Sequence, residues 1–179
     1  MQTGCLGVDV NVPVVVDVVF EDPRWPAGFE ALTQQACECV AARLGLLEEC
    51  EVVILAANDV RIAELNRAYR AKHQATNVLS WPAQDLANGA GLPPDRPQAD
   101  FPDEGPALGD IALAFETCEA EALAAGLPFE AHLRHLVVHG MMHLLGFDHI
   151  SDLDADVMEG LETEILAQMG VSDPYAQQD

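Results

Sequence analysis

The sequence predicts an α+β fold: a single compact domain with a small, mostly mixed sheet packed with helices, and a three-histidine metal site at the end of a helix. Three observations predict it. Half of the 179 residues are hydrophobic, enough for one core. Runs of β-branched residues intermix with stretches of helical apolar periodicity, without a regular βαβ repeat. Three histidines, His139, His143 and His149, stand at the spacing of a helical ligand pair followed by a turn. No internal repeat is visible, and residues 1–179 read as one domain.

The elements follow in order. Residues 14–20 are a valine-rich strand, a candidate exposed edge, broken by Asp22, Pro23 and Pro26. Residues 28–44 place Phe29, Leu32, Ala36, Val40 and Leu44 on one side of a helix. Residues 51–57 form a second strand. Asn58 or Asp59 then caps a helix whose apolar stripe is Ile62, Leu65 and Tyr69. Residues 77–81 are a short strand ended by Pro82. Residues 82–108 are rich in proline and glycine and lack periodicity, so they read as a long, mobile or partly disordered loop, a lid or a neutral insertion. Residues 109–115 return to strand character, and 116–125 form a helix ended by Gly126. Pro128 opens the next helix, with Leu133, Leu136 or Val137, Gly140 or Met141, and Leu144 inward and Gly146 as its stop. Ser151 or Asp152 caps a last helix with Leu153, Val157, Leu161, Ile165 and Met169 on one face.

Composition narrows the function classes. No apolar run approaches the roughly 20 residues that span a bilayer, and Met1, Gln2, Thr3 and Gly4 lack the basic residues of a secretory signal. These features predict a soluble cytoplasmic protein with no membrane partner. Five cysteines at irregular spacing predict reduced thiols, and Cys37 and Cys39 are poorly spaced to share a metal. The net charge of -22 argues against general attraction to nucleic acid, and DNA is not expected as a partner. Yet residues 61–73 carry Arg61, Arg67, Arg70 and Lys72 against one acid, Glu64, while no Lys or Arg follows Arg134. On composition alone that cluster reads as a solvated helix face; the alternative is a small site for a polyanion.

The chemistry concentrates in His139-Gly140-Met141-Met142-His143-Leu144-Leu145-Gly146-Phe147-Asp148-His149. Residues four apart on a helix are neighbours, so two imidazoles can reach one ion. Gly146 can end the helix and turn the chain so that His149 approaches from a second direction. Three neutral imidazoles favour Zn2+, one ion per chain, over copper, nickel or iron. Three protein ligands leave a fourth position open, the pattern of a catalytic site. His132 and His135 read as supporting or surface residues, and Asp148 and Asp152 as partners of a histidine or helix caps. The spacing matches the three-histidine zinc proteases, but Gly140 stands where they carry the glutamate base, which counts against proteolysis.

These residues resemble the YbeY proteins, metal-dependent bacterial endoribonucleases of ribosomal RNA maturation. The resemblance rests on the whole of 139–149, on Leu65-Asn66-Arg67-Ala68-Tyr69-Arg70 with Thr76-Asn77-Val78-Leu79-Ser80-Trp81-Pro82, on Leu108-Gly109-Asp110-Ile111, and on 158–165 with Asp173-Pro174-Tyr175. It covers about two-thirds of the chain. His73 stands where the family usually has an acid and Trp81 where it has Phe. The resemblance implies a zinc-dependent, single-strand-preferring endoribonuclease of 16S rRNA 3′-end maturation and ribosome quality control, partnered by single-stranded ribosomal RNA and by the small ribosomal subunit or its assembly factors. It implies that Arg70 is the catalytic member of the basic cluster, a role suited to a guanidinium facing phosphate. Tyr69 and Trp81 are candidates for stacking on bases, with core packing the blander role. Two other readings compete: a maturation factor whose metal only shapes the fold, and a divergent metalloprotease.

Overall fold

The valine-rich run forms strand β1 (Val14–Phe20), and the amphipathic stretch after it forms helix α1 (Phe29–Leu44). The computed structural model describes residues 14–46, 48–89, 91–101 and 104–176; the residues read for a secretory signal, and Cys5, lie outside these. Strand β2 (Cys50–Ala57) runs parallel to β1, with Val14 opposite Cys50. A parallel pair needs a crossover, which α1 provides, so the first three elements make one βαβ unit. Helix α2 (Asp59–Arg70), strands β3 (Val78–Pro82) and β4 (Ala107–Ala114), and helices α3 (Phe115–Ala125), α4 (Phe129–Leu144) and α5 (Asp152–Gln168) follow. The strand order is β1-β2-β4-β3. β4 is parallel to β2 and antiparallel to β3, so the sheet is mixed, as the α+β reading expects.

Alternation along the strands decides which face is covered. Cys50, Val52, Ile54 and Ala56 of β2 point into the main core beneath α1 and α4, whereas Glu51 and Val53 are exposed. Burying Phe29 or Leu133 in this core contributes about 1.5–3 kcal/mol each. The opposite face carries a smaller cluster, Ala57, Ile62, Leu79, Ala112 and Ala114, with α2 laid across it. α2 leaves much of this face open, so Val15 and Val19 of the edge strand β1 remain exposed. Among the described residues no helix is long and apolar enough to cross a membrane.

Four expectations change. Tyr69 does not complete an apolar stripe on α2: it is 70% exposed and meets Trp81 edge to face at 5.7 Å. α5 buries Met158, Glu162, Ile165 and Leu166 and leaves Leu153 and Val157 exposed, so its inward face is rotated from the expected one. The cause is Glu162, a carboxylate with partners inside the protein. The long loop is shorter than expected, since β3 includes Pro82 and β4 begins at Ala107; between them the described residues form no helix or strand but are tethered rather than loose. Leu86 is buried, the Gly91 N–H donates to Asp154 Oδ1 at 2.7 Å, and Arg96 donates to the Gly45 carbonyl at 2.6 Å. Cys37, Cys50 and Cys118 are buried free thiols, whereas Cys39 is disulfide-bonded, which departs from the expectation of uniformly reduced cysteines.

Candidate metal centre

Helix α4 places His132, His135, His139 and His143 at intervals of three and four residues, so their rings form a row along one side. The opposite side, with Leu133, Leu136, Val137, Met141 and Leu144, is sealed in the core. Gly140 belongs to that sealed side. A Cβ there would stand 3.0 Å from Ile111 Cδ1 and 3.1 Å from its Cγ2. Glycine thus lets α4 pack closely on β4, and a larger side chain at 140 would have to displace the Ile111 side chain.

The helix ends at Leu144, and Gly146 takes a φ of +86°, a conformation that favours glycine. The chain turns back, and the Phe147 N–H donates to the Met142 carbonyl at 3.1 Å. His149 returns with its ring centroid 5.5 Å from that of His139 and 5.1 Å from that of His143. Asp148 accepts the His149 backbone N–H at 2.7 Å and so fixes the returning chain. Ser151, not Asp152, caps α5: its Oγ accepts from the Asp154 N–H at 3.2 Å.

Ring nitrogens of His139, His143 and His149 all lie within 4.8 Å of one another, so the expected residues do converge. Their hydrogen bonds sharpen the fit to a cation. His139 Nδ1 lies 2.9 Å from Glu162 Oε1, and His143 Nδ1 lies 3.0 Å from the Phe147 carbonyl. Both partners are acceptors, so both Nδ1 atoms carry the proton and both Nε2 atoms present lone pairs. Those two Nε2 atoms face each other at 3.0 Å. Two lone pairs at that distance repel unless a cation lies between them, and two nitrogens on one tetrahedral zinc stand about 3.3 Å apart. Burial, followed by electrostatic interaction with the neighbouring His139 and His149, pushes the His143 pKa down to about 4, which keeps its ring neutral and able to ligate.

Glu162 escaped the sequence reading. It is fully buried, and burial alone would raise its pKa; hydrogen bonds from His135 and His139, then from Tyr175, bring it down to about 2. The signal for it was an acid in register with Met158, Ile165 and Leu166 on one helix face. His132 pairs with Glu121 at 2.9 Å and His135 with Glu162 at 3.3 Å, so neither is a bare surface residue. A cleft of about 280 Å³ opens beside the group, lined by Val78, Met158, Glu159 and Tyr175 together with His135, His139 and His149.

Arg70 sits apart, exposed in the last turn of α2. Ala71 caps that turn with a φ of +55°, and Asn66 Nδ2 donates to the Gln74 carbonyl at 2.7 Å, tying the helix end to the following segment. Three residues beyond Gln74 the chain reaches Asn77 and Val78 on the wall of the cleft. Of the basic cluster, Arg61 is taken by Glu21 at 3.0 Å and Glu64 at 3.5 Å. Among the described residues Arg67, Arg70 and Lys72 make no ion pair.

Comparison with known proteins bears on this arrangement. The family model described as endoribonuclease YbeY matches residues 21–170. An endoribonuclease YbeY of Ruegeria pomeroyi is 50% identical over 164 residues, covering 90% of this chain and 98% of that one. One from Paracoccus denitrificans is 45% identical over 171 residues, 94% of each chain. The solution structure of TM1509 from Thermotoga maritima shares the fold, with a TM-score of 0.57 at 20% identity over 86% of this chain and 88% of that one. Family match, relatives and histidine geometry agree, and the chain belongs to the YbeY family of endoribonucleases.

Proposed function

We propose that this protein is a zinc-dependent endoribonuclease that cuts single-stranded ribosomal RNA in the cytoplasm, in 16S rRNA 3′-end maturation and ribosome quality control. The observation that carries the metal reading is the approach of His139 Nε2 and His143 Nε2 to 3.0 Å, with both Nδ1 atoms on acceptors and His149 beside them. His139, His143 and His149 would hold one ion. When bound, a zinc ion would act as a Lewis acid on the scissile phosphodiester and on water. The chain's own residues do the rest. Arg70 would hold a phosphate oxygen through paired hydrogen bonds and offset charge gathering on it. The cleft walls Val78, Met158 and Tyr175 would shield the site from bulk water. We take residues 1–179 as one domain with this role, 82–108 being its long loop, and the small ribosomal subunit or its assembly factors as the partner that brings so acidic a protein to RNA.

The test is cleavage of an unstructured RNA by wild type, His143→Ala and Arg70→Ala, with zinc measured in each sample. Expected are cutting by wild type, loss of zinc and cutting in His143→Ala, and loss of cutting with zinc retained in Arg70→Ala. Zinc retained by wild type with no RNA cut would leave a maturation factor whose metal only supports the fold.

A further inference from the structure

We propose that Glu162 is the positioning residue of this centre, fixing the ring orientation and tautomer of His139 from α5, and that Tyr175 holds Glu162 in place. The proposal rests on the metal reading above and adds residues outside the three histidines. Glu162 is fully buried in an apolar face between Met158 and Leu166. A buried carboxylate survives only where donors meet it. Here they come from two elements. His139 Nδ1 reaches Oε1 at 2.9 Å, while His135 Nε2 at 3.3 Å and the Tyr175 hydroxyl both reach Oε2. An ionised carboxylate only accepts, so it forces the His139 proton onto Nδ1 and turns the Nε2 lone pair toward His143. Carboxylates that accept from ligating imidazoles set ligand orientation and basicity in this way.

The placement of Tyr175 adds the second half. It lies beyond α5, in the segment whose backbone is fixed by the Tyr175 N–H donating to Asp173 Oδ1 at 2.8 Å. Its ring stands edge-on to His135 with centroids 5.6 Å apart. The carboxyl-terminal segment therefore braces the carboxylate that braces His139. A glutamine at 162 is the weaker partner: it carries no charge, and it keeps an acceptor toward His139 only if its NH2 turns to His135 and Tyr175, which must then accept where they now donate.

The experiment compares wild type, Glu162→Gln and Tyr175→Phe. Zinc affinity is measured by competition with a chromophoric chelator, the His139 tautomer by ring-nitrogen NMR of the metal-free protein, and melting of the metal-free protein serves as a control. Expected is a zinc affinity about 10–100-fold weaker in Glu162→Gln, a smaller loss in Tyr175→Phe, and a reduced share of the Nδ1-protonated form of His139, without a matching fall in melting temperature. Unchanged affinity and tautomer in Glu162→Gln would overturn the proposal. So would two zinc equivalents per wild-type chain with one lost in Glu162→Gln, since Glu162, His135 and His139 can themselves group around a cation. If wild type binds no zinc, the metal reading falls and the His139 tautomer alone decides this one. Should Glu162→Gln not fold, affinity and tautomer in Tyr175→Phe decide by the same criteria.

Discussion

Replacing Gly146 with alanine tests whether the turn after α4 is what delivers His149. Gly146 has a φ of +86°, and a left-handed backbone costs a residue with a Cβ about 1–2 kcal/mol. The new Cβ would also stand 2.8 Å from Leu86 Cβ and 2.9 Å from the Leu86 carbonyl carbon. The second of these is backbone, so a rotamer change cannot relieve it, and overpacking adds about 1–3 kcal/mol. The total is about 2–5 kcal/mol. In a chain of this length each kcal/mol moves the melting temperature by about 2–4 °C, so Gly146→Ala should melt lower by about 4–20 °C. The strain lies three residues before His149, so zinc affinity should fall as well. The assay is thermal unfolding of the metal-free protein followed by zinc titration. Gly160→Ala is the control: no atom lies within 4 Å of its Cβ position, and in the middle of α5 it should stabilise by about 1 kcal/mol. A Gly146→Ala protein that melts with wild type and binds zinc as well would refute the reasoning.

Other outcomes follow from the same geometry. Ala71 holds a left-handed φ of +55° at the end of α2, so Ala71→Gly should raise stability by about 1 kcal/mol, read as a higher urea midpoint. Arg70→Lys should keep zinc and fold yet lose most RNA cleavage, because an ammonium cannot form the paired contact of a guanidinium; cleavage rates beside zinc content decide it. In the metal-free protein, His143 titrates near 4 when folded against 6.5 for the free group. Between those values the unfolded chain binds the extra proton, so stability should fall as pH drops through that window, by up to about 1.4 kcal/mol per pH unit. Asp22, held down to about 2 by its hydrogen bonds from Arg24, should add its own loss only below 3.8. Urea midpoints across pH, with His143→Gln flattening the upper window, check both.

Helix α4 was legible because its apolar residues fall on one stripe and its histidines on another, each at helical spacing. The turn was legible because glycine at 146 has few other uses. α5 was misjudged because two faces of it carry apolar residues, and the buried one contains a carboxylate that pattern reading assigns to solvent. Glu162 is inside only because imidazoles and a phenol on other elements meet it, and such long-range pairing leaves no local trace. Tyr69 shows the converse: its apolar ring fits the stripe, but the sheet face beneath α2 is not fully covered. The loop at 82–108 looked free because it lacks periodicity. Its tethers at Leu86, Gly91 and Arg96 are single contacts to distant residues. The residue types of the centre were readable, whereas the distance between α2 and the centre depended on how the chain folds around the edge of β3.

The segregation of charge has a kinetic consequence. No Lys or Arg follows Arg134, while the stretch that carries His149 and α5 holds Asp148, Asp152, Asp154, Asp156, Glu159 and Glu164. On the proposed reading, an RNA strand would meet long-range repulsion before it reached the local attraction of Arg67, Arg70 and Lys72. The range of exposed charges shrinks from about 30 Å at 0.01 M salt to about 8 Å at 0.15 M. Added salt therefore removes the far repulsion before it weakens the close contacts. Encounter should quicken with moderate ionic strength, the reverse of the slowing expected for nucleic-acid binders steered by net positive charge.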